Sequence, residues 1–202
     1  IRALLMQALH PGSLAGVMQH SRYEEDALGR LSGTIRWLTI CSFGSTQALE
    51  HESARVRQMH EKVKGNFTTN DNQKRDYKAS DPDLLVWVHV AFTDSFLASH
   101  QVFGQRPINA DEYVKQWGQV VIPLGVQTTP QSQSELKETL KNYDNQLRVD
   151  DKTKRVINFI QNPPFTGPTK FVYKILFAAA YNLLEPQHQN AIGLKAVDKR
   201  IA

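Results

Sequence analysis

Two of the seven histidines lie inside segments whose apolar residues recur at helical spacing: His60 within residues 54–65 and His89 within residues 81–97. A buried imidazole is costly unless its ring nitrogens find partners, and ligation of a metal supplies one. The sequence contains no Walker loop, no Gly-x-Gly-x-x-Gly, no Cys-x-x-Cys-His and no Gly-x-Ser-x-Gly. These two histidines are therefore the main candidates for chemistry.

His60 shares one side of its predicted helix with apolar residues, whereas Arg55 falls on the opposite, polar side. The apolar residues on the side of His60 are Val56, Met59 and Val63. Two interpretations stay open for this histidine. It is either a core residue bonded to a carbonyl or hydroxyl, or an axial ligand to haem iron, which requires one neutral imidazole in an apolar pocket.

His89 lies in a predicted helix that is apolar on nearly every face, so we expect other helices to surround it. His89 and Thr93 share a face of this helix, and Asp94 and Ser95 follow them. These polar groups either fix the helix packing through hydrogen bonds or shape a site inside the bundle.

Arg30 and Thr34 are one helical turn apart, which makes their side chains neighbours. Leu31, Ile35 and Leu38 predict that the same helix faces the core. The pair is either a surface arginine with a threonine behind it, or a buried arginine that binds an anion such as a haem propionate or an oxidised substrate.

The composition is that of a globular domain, with 202 residues, 41% of them hydrophobic, and a net charge of +4. The basic excess is small and dispersed, so it does not favour a nucleic-acid partner. The single cysteine, Cys41, excludes an internal disulfide; a small core residue is expected there, and a thiolate haem ligand is the remote alternative. No apolar run predicts a membrane span, no signal peptide opens the chain, and Ile1 is compatible with a longer natural N-terminus.

Capping residues and helical periodicity predict an all-α protein with a single domain over residues 1–202. Ser21 with Glu24 and Asn109 with Glu112 resemble capping boxes. The predicted helices cover about residues 1–10, 12–20, 24–47, 51–64, 81–99, 109–121, 130–146, 151–161, 168–183 and 186–198. Residues 65–80 are predicted to form a polar surface loop, and 120–122 is the best strand candidate.

Several short motifs in the first half of the chain follow one another in a fixed order. They are Leu4-Leu-Met-Gln-Ala-Leu-His10-Pro, Ser21-Arg-Tyr, Gly29-Arg30-Leu with Thr34, Arg55-Val-Arg57, His60-x-x-Val63-x-Gly65, Tyr77-x-Ala79-x-Asp81-Pro and Leu85-x-Trp87-Val-His89. This order resembles the MpaB-type oxygenase family, which includes the catalytic domain of the latex-clearing protein, a rubber oxygenase. The resemblance covers residues 1–100; beyond them only the helical character and Leu183-Leu-Glu-Pro186 agree.

The resemblance implies an all-helical haem b protein with distantly globin-like packing. In the rubber oxygenases, the helix with the Arg-x-x-x-Thr pair lines the haem pocket and a downstream histidine binds the iron. Arg30 and Thr34 match the pair, and His60 best matches the ligand. His89 matches a Trp-Val-His motif and is either a neighbour of the iron site or the ligand itself. The rubber oxygenases also use a distal lysine; this chain has none before Lys62, so rubber is not favoured as the substrate.

The combined prediction is a haem b-dependent oxygenase that acts on a small apolar organic substrate with dioxygen. His60 binds the iron, and Arg30, Thr34 and His89 are the catalytic candidates, with Arg30 and Thr34 orienting a propionate or a polar oxygen intermediate. The main alternative is a haem-free helical binding protein or enzyme for an apolar ligand, and a basic helical interaction module is the other. We expect a cytoplasmic protein without an integral membrane span. The substrate, the oligomeric state and the choice among monooxygenase, dioxygenase and peroxidase-like chemistry stay open.

Overall fold

Ten α-helices and one short β-hairpin make up the part of the chain that the computed structural model describes, residues 1–21 and 23–194 without the side chains of Ala27, Leu28 and Arg30. The elements are α1 (Arg2–Leu9), α2 (Pro11–His20), α3 (Ala27–Phe43), α4 (Thr46–His60), β1 (Lys64–Thr68), β2 (Lys74–Lys78), α5 (Pro82–Phe103), α6 (Ala110–Gln119), a 3-10 turn (Ile122–Leu124), α7 (Gln133–Asn142), α8 (Asp151–Gln161), α9 (Gly167–Asn182) and α10 (Pro186–Ile192). The prediction of a mostly helical single domain is confirmed. The globin-like packing stays a prediction, and the predicted helical residues 195–198 lie outside the described part.

Side-chain caps explain why two helices begin where they do. The Asp26 carboxylate accepts from the backbone nitrogen of Gly29 at 2.9 Å, and Ser45 accepts from Ala48 at 3.2 Å. The predicted helix over residues 24–47 is therefore shorter, and α4 starts at Thr46 instead of residue 51. The predicted capping box at Ser21 is wrong, because residues 23–25 form a turn and Asp26 caps α3.

The predicted polar loop over residues 65–80 is instead an antiparallel hairpin. Lys64 pairs with Lys78 and Thr68 with Lys74, while Asn72 adopts a left-handed φ of 61° in the turn. Residues along β1 alternate between exposed and half-buried, and Tyr77 on β2 is buried against the helices. The strand prediction at 120–122 is wrong, because this segment follows α6 and enters the 3-10 turn.

Helix α5 runs through the core, where Trp87, Val90 and Ala91 are fully buried. Arg2 on α1 is also buried, and it forms an ion pair with Asp94 of α5 at 2.5 Å. Its Nε donates to the carbonyl of Leu183 at 2.9 Å, which connects the end of α9 to the same pair. A paired and hydrogen-bonded buried charge fixes these three elements relative to one another. Within the described ranges, no helix is long and apolar enough to cross a membrane.

Candidate functional site

A cavity of about 560 Å³ lies among α1 to α6, the hairpin and the segment after α6. Its walls are mainly apolar and aromatic, with a small number of polar groups, as is usual for cofactor and ligand sites. The residues that line it include Leu4, Gln7, Gly12, Val17, Gly33, Thr34, Trp37, Arg55, Met59, His60, Leu84, His89 and Phe92. Its volume is within the range of about 300–1,000 Å³ that holds most small ligands.

Two glycines give the cavity its shape. A Cβ at Gly12 would come within 3.0 Å of both Leu84 and Phe67, so glycine permits α2 to approach α5 and β1 closely. A Cβ at Gly33 on α3 would meet no atom within 4 Å. The missing side chain at Gly33 therefore leaves open volume in the cavity wall one residue before Thr34.

His60 is the last residue of α4 and lies on the cavity wall. The side chain is half-buried, and this burial lowers the pKa of its imidazole, partly opposed by the charge of Glu61. The ring is thus neutral near neutral pH, which is the form that ligates a metal. The sequence-based placement of His60 in an apolar pocket agrees with this position.

His89 lines the same cavity from α5 and is 5% exposed. The Thr93 hydroxyl donates to the His89 carbonyl at 2.9 Å and lies 3.5 Å from the ring Nδ1. The ring Nε2 is buried and has no hydrogen-bond partner among the described residues. Burial lowers the pKa of His89 to about 4, so the ring is neutral and one of its nitrogens remains available to a bound group.

Thr34 also lines the cavity, so the structure brings together Thr34, His60 and His89 from three helices. Arg30 lies on α3 one turn before Thr34, but its side chain is outside the described part. The prediction that α3 buries Leu31 and Ile35 is wrong, because these residues are 38% and 52% exposed. Helix α3 packs mainly on α4, and its outer face remains uncovered by other described elements.

Arg55 is a cavity residue that sequence reasoning placed on the solvent side of α4. Its guanidinium contacts Oε1 of Glu52 through Nε at 3.0 Å and Nη2 at 2.6 Å. The other carboxylate oxygen of Glu52 accepts from Nε of Arg36 at 3.0 Å. One carboxylate between two guanidinium groups gives this cluster a net positive charge, while the carboxylate of Asp26 also lines the cavity. Met59, which was predicted to be inside, also lines the cavity, although it is 47% exposed.

Glu52 explains why Arg55 lines the cavity although Arg55 lies on the polar side of α4. It is fully buried, and the hydrogen bond from Arg55 is the largest influence that lowers the pKa of its carboxyl, despite burial acting in the other direction. Arg55 follows it by three positions, a spacing that brings helical side chains into contact and that can be read from the sequence. Burial of Glu52 itself has no sequence signal, since glutamate is among the residues least often found inside.

Cys41, the remaining candidate iron ligand, lies away from the cavity. Burial raises the pKa of the Cys41 thiol to about 12, and Cys41 does not line the cavity. A thiolate ligand at this position therefore has no support. Within the described ranges, no cluster of three or more His, Cys, Asp or Glu side chains is arranged to hold a metal ion.

A family model described as "ER-bound oxygenase mpaB/B'/Rubber oxygenase, catalytic domain" matches residues 1–202, the whole chain. The match includes the second half, where the motifs in the sequence are weak. No curated protein and no solved structure shows significant similarity to the chain.

Proposed function

Because the chain belongs to the family of MpaB-type and rubber oxygenase catalytic domains, we propose that it binds one haem b in the large cavity and oxidises an apolar organic substrate with dioxygen. The observation that carries this proposal is the presence of His60 and His89, two neutral histidines, on the wall of one largely apolar cavity. Haem binding would need one imidazole from the protein, which either His60 or His89 would supply.

The residues around the cavity fit this cofactor in three respects. Apolar and aromatic walls, among them Trp37 and Phe92, suit a flat hydrophobic macrocycle. The buried Nε2 of His89 lacks a protein partner among the described residues, and a bound group would satisfy it. The positive charge of Arg55 and its neighbours suits the carboxylates at the edge of a haem.

Each residue then has a defined role. His60 would hold the iron through its neutral imidazole, and His89 would place a neutral ring nitrogen against the bound group or substrate. Thr34 offers a hydroxyl that donates to a polar oxygen, while Arg30 and Arg55 bind carboxylates. The apolar walls bind the substrate and exclude water, which strengthens each of these polar contacts. The haem, when bound, supplies the iron at which dioxygen is activated.

The test is reconstitution of the purified protein with hemin. We expect about one haem per chain, an intense Soret band, and complete removal of colour from the polypeptide by acid–acetone extraction, since no Cys-x-x-Cys-His is present. Colour that stays with the polypeptide, or a folded protein that never takes up hemin, would contradict the proposal. In the second case, the apolar cavity would favour the alternative, a haem-free protein that binds an apolar ligand.

A further inference from the structure

A second, narrower cavity of about 120 Å³ lies beside the large one, between α1, α3, α8 and α9. Both cavities are lined by Leu4, Gln7, Val17 and Thr34, so these four residues form a shared wall. The side cavity is otherwise lined by Ala8, Leu14, Tyr23, Leu31, Val156, Phe159, Ile160, Pro163, Phe165 and Tyr173. None of these ten residues lines the large cavity.

The side cavity presents rings and alkyl groups to a ligand. The Tyr23 hydroxyl donates to Glu24 at 3.0 Å, and the Tyr173 hydroxyl donates to the carbonyl of Ile160 at 2.6 Å. Two edge-to-face pairs, Tyr23 with Phe159 and Phe165 with Tyr173, hold the aromatic rings in place at centroid distances of 5.3 and 5.2 Å. A hydrocarbon group is therefore the chemistry that fits there.

Gln7 and Thr34 are the polar residues of the shared wall, and Gln7 is the one with an unpaired buried atom among the described residues. Its side-chain Nε2 is buried and has no hydrogen-bond partner among the described residues. A buried amide nitrogen without an acceptor is unfavourable, so a ligand that brings an acceptor oxygen to this point gains a hydrogen bond without displacing a protein contact. The helical spacing of Leu4, Gln7 and Ala8 places them on one face of α1, directed to the side cavity.

We propose that the side cavity is a substrate subsite. It takes the end of an apolar chain whose carbonyl, ester or hydroxyl oxygen accepts a hydrogen bond from Gln7 at the wall shared with the large cavity. This inference rests on the proposed function, because it assigns the substrate class of the same site. An apolar cavity of about 150 Å³ holds one benzene-sized molecule, so the side cavity takes a group of about that size or slightly smaller. The oxygen then lies within the chain, and the remaining hydrocarbon extends into the large cavity.

The probes are 5-nonanone, which has a mid-chain carbonyl, and nonane, which has the same chain length without it. Their binding to the purified protein is measured by calorimetry, before and after haem loading. Gln7→Leu keeps the volume of the side chain and removes the donor. We expect it to weaken 5-nonanone binding by about two- to tenfold, as for loss of one neutral hydrogen bond, and to leave nonane unchanged.

Two further variants test the cavity itself. Ile160→Trp fills it from α8, and Leu31→Trp fills it from the 38% exposed Leu31 on α3, a position where a large side chain is compatible with folding. Both should weaken the binding of both probes. The matched controls Gln101→Leu and Val102→Phe change exposed residues of α5 and should bind like the unmodified protein.

Unchanged ketone binding in Gln7→Leu, or unchanged binding of both probes in the folded Leu31→Trp protein, would overturn the proposal. The outcome is separable from that of the proposed function. A protein that binds 5-nonanone through Gln7 but never takes up hemin would support the subsite and contradict the proposed haem-dependent oxygenase. A haem-loaded protein that binds the two probes equally well would contradict only the subsite proposal.

Discussion

Oε1 of Glu52 accepts hydrogen bonds from Nε and Nη2 of Arg55, at 3.0 and 2.6 Å, in the wall of the large cavity. The Glu52 side chain is 1% exposed, whereas that of Arg55 is 40% exposed. The carboxylate thus binds the Nε and Nη2 edge of the guanidinium, while the rest of the group is exposed to solvent and the cavity. Arg36 neutralises the second oxygen of the same carboxylate at 3.0 Å.

Glu52→Gln should lower the free energy of unfolding by about 1–3 kcal/mol, because an amide cannot compensate two guanidinium groups. The exposure of both arginines to solvent screens their charge and limits the loss to this range. Chemical denaturation at neutral pH measures the change. Glu50→Gln is the matched control, since Glu50 is exposed on the same helix and should leave stability within about 0.5 kcal/mol.

The acid dependence follows from the same pair. The folded pKa of Glu52 is lowered below the unfolded value of about 4.3, so its contribution to stability is complete above that pH and is lost as pH falls through the folded pKa. Glu52→Gln should therefore reduce the loss of stability on acidification below pH ~4. If the Glu52→Gln protein lost as much stability below pH ~4 as the unmodified protein does, Glu52 would not be a source of the acid dependence.

The choice of iron ligand is tested by three single alanine variants. His60→Ala should remove most of the haem, His89→Ala should keep more of it, and His51→Ala, an exposed residue of the same helix, should bind haem normally. Absorbance of the Soret band per protein measures occupancy. Added imidazole should partly restore the spectrum of His60→Ala by filling the vacated position. The reverse ranking of His60 and His89 would assign the ligand to α5.

The buried imidazole of His89 predicts a second pH dependence. Its folded pKa of about 4 is below the unfolded value of about 6.5, so the unfolded chain binds the proton more readily. Stability from this group is complete above about pH 6.5 and decreases as pH falls towards 4. Between pH 7 and pH 5, the linkage relation gives a loss of about 2 kcal/mol.

His89→Gln should remove that part of the loss, because glutamine does not titrate. His51→Gln, at an exposed position, is the control and should keep the dependence of the unmodified protein. Urea denaturation of the haem-free protein at both pH values measures the difference. If the His89→Gln and unmodified proteins lost the same stability between pH 7 and pH 5, the imidazole of His89 would take up its proton in the folded protein as readily as in the unfolded chain.

Local signals in the sequence were sufficient for much of the helical architecture. Asn109 caps α6 as its spacing to Glu112 predicts, accepting from the backbone nitrogens of Asp111 and Glu112. Apolar periodicity predicted that His60 faces inward, and the apolar helix around His89 was predicted to be surrounded by other helices; both histidines line the same cavity. The periodicity of apolar residues identifies the buried face of a helix, so the sequence alone predicts which side chains on that helix point inward.

The elements that were missed depend on contacts between distant segments. Met59 continues the apolar stripe of α4 and lines the cavity, yet it is 47% exposed. Arg55, on the polar side of the same helix, also lines the cavity, and Glu52 binds its guanidinium. The hairpin was missed because its outward residues are polar, and its inner face has few large apolar side chains, chiefly Phe67 on β1 and Tyr77 on β2. The side cavity combines α1 with α8 and α9, which are separated by more than a hundred residues. Such a juxtaposition has no periodic signature in the sequence.

Arg30 lies one turn before Thr34 on α3 and matches the arginine of the family's Arg-x-x-x-Thr pair. Arg30→Ala should lower turnover of the haem-loaded protein by about ten- to a hundredfold and leave it folded, since a buried charge-assisted hydrogen bond contributes about 1.5–3 kcal/mol. Arg30→Lys should restore turnover only in part, because an ammonium cannot reproduce the planar fork of a guanidinium. Arg106→Ala, at an exposed position, is the matched control.

Two quantities measured on one preparation separate a catalytic from a structural role for Arg30. These are dioxygen consumption per haem with a panel of apolar test substrates, and the melting temperature. If Arg30 binds a propionate or a polar group of the reaction, consumption falls and the melting temperature changes little. If it pairs with a protein carboxylate instead, the melting temperature falls while consumption per folded, haem-loaded molecule stays normal. Normal consumption in Arg30→Ala would leave Arg55, which lines the cavity, as the remaining arginine candidate for binding an anion there.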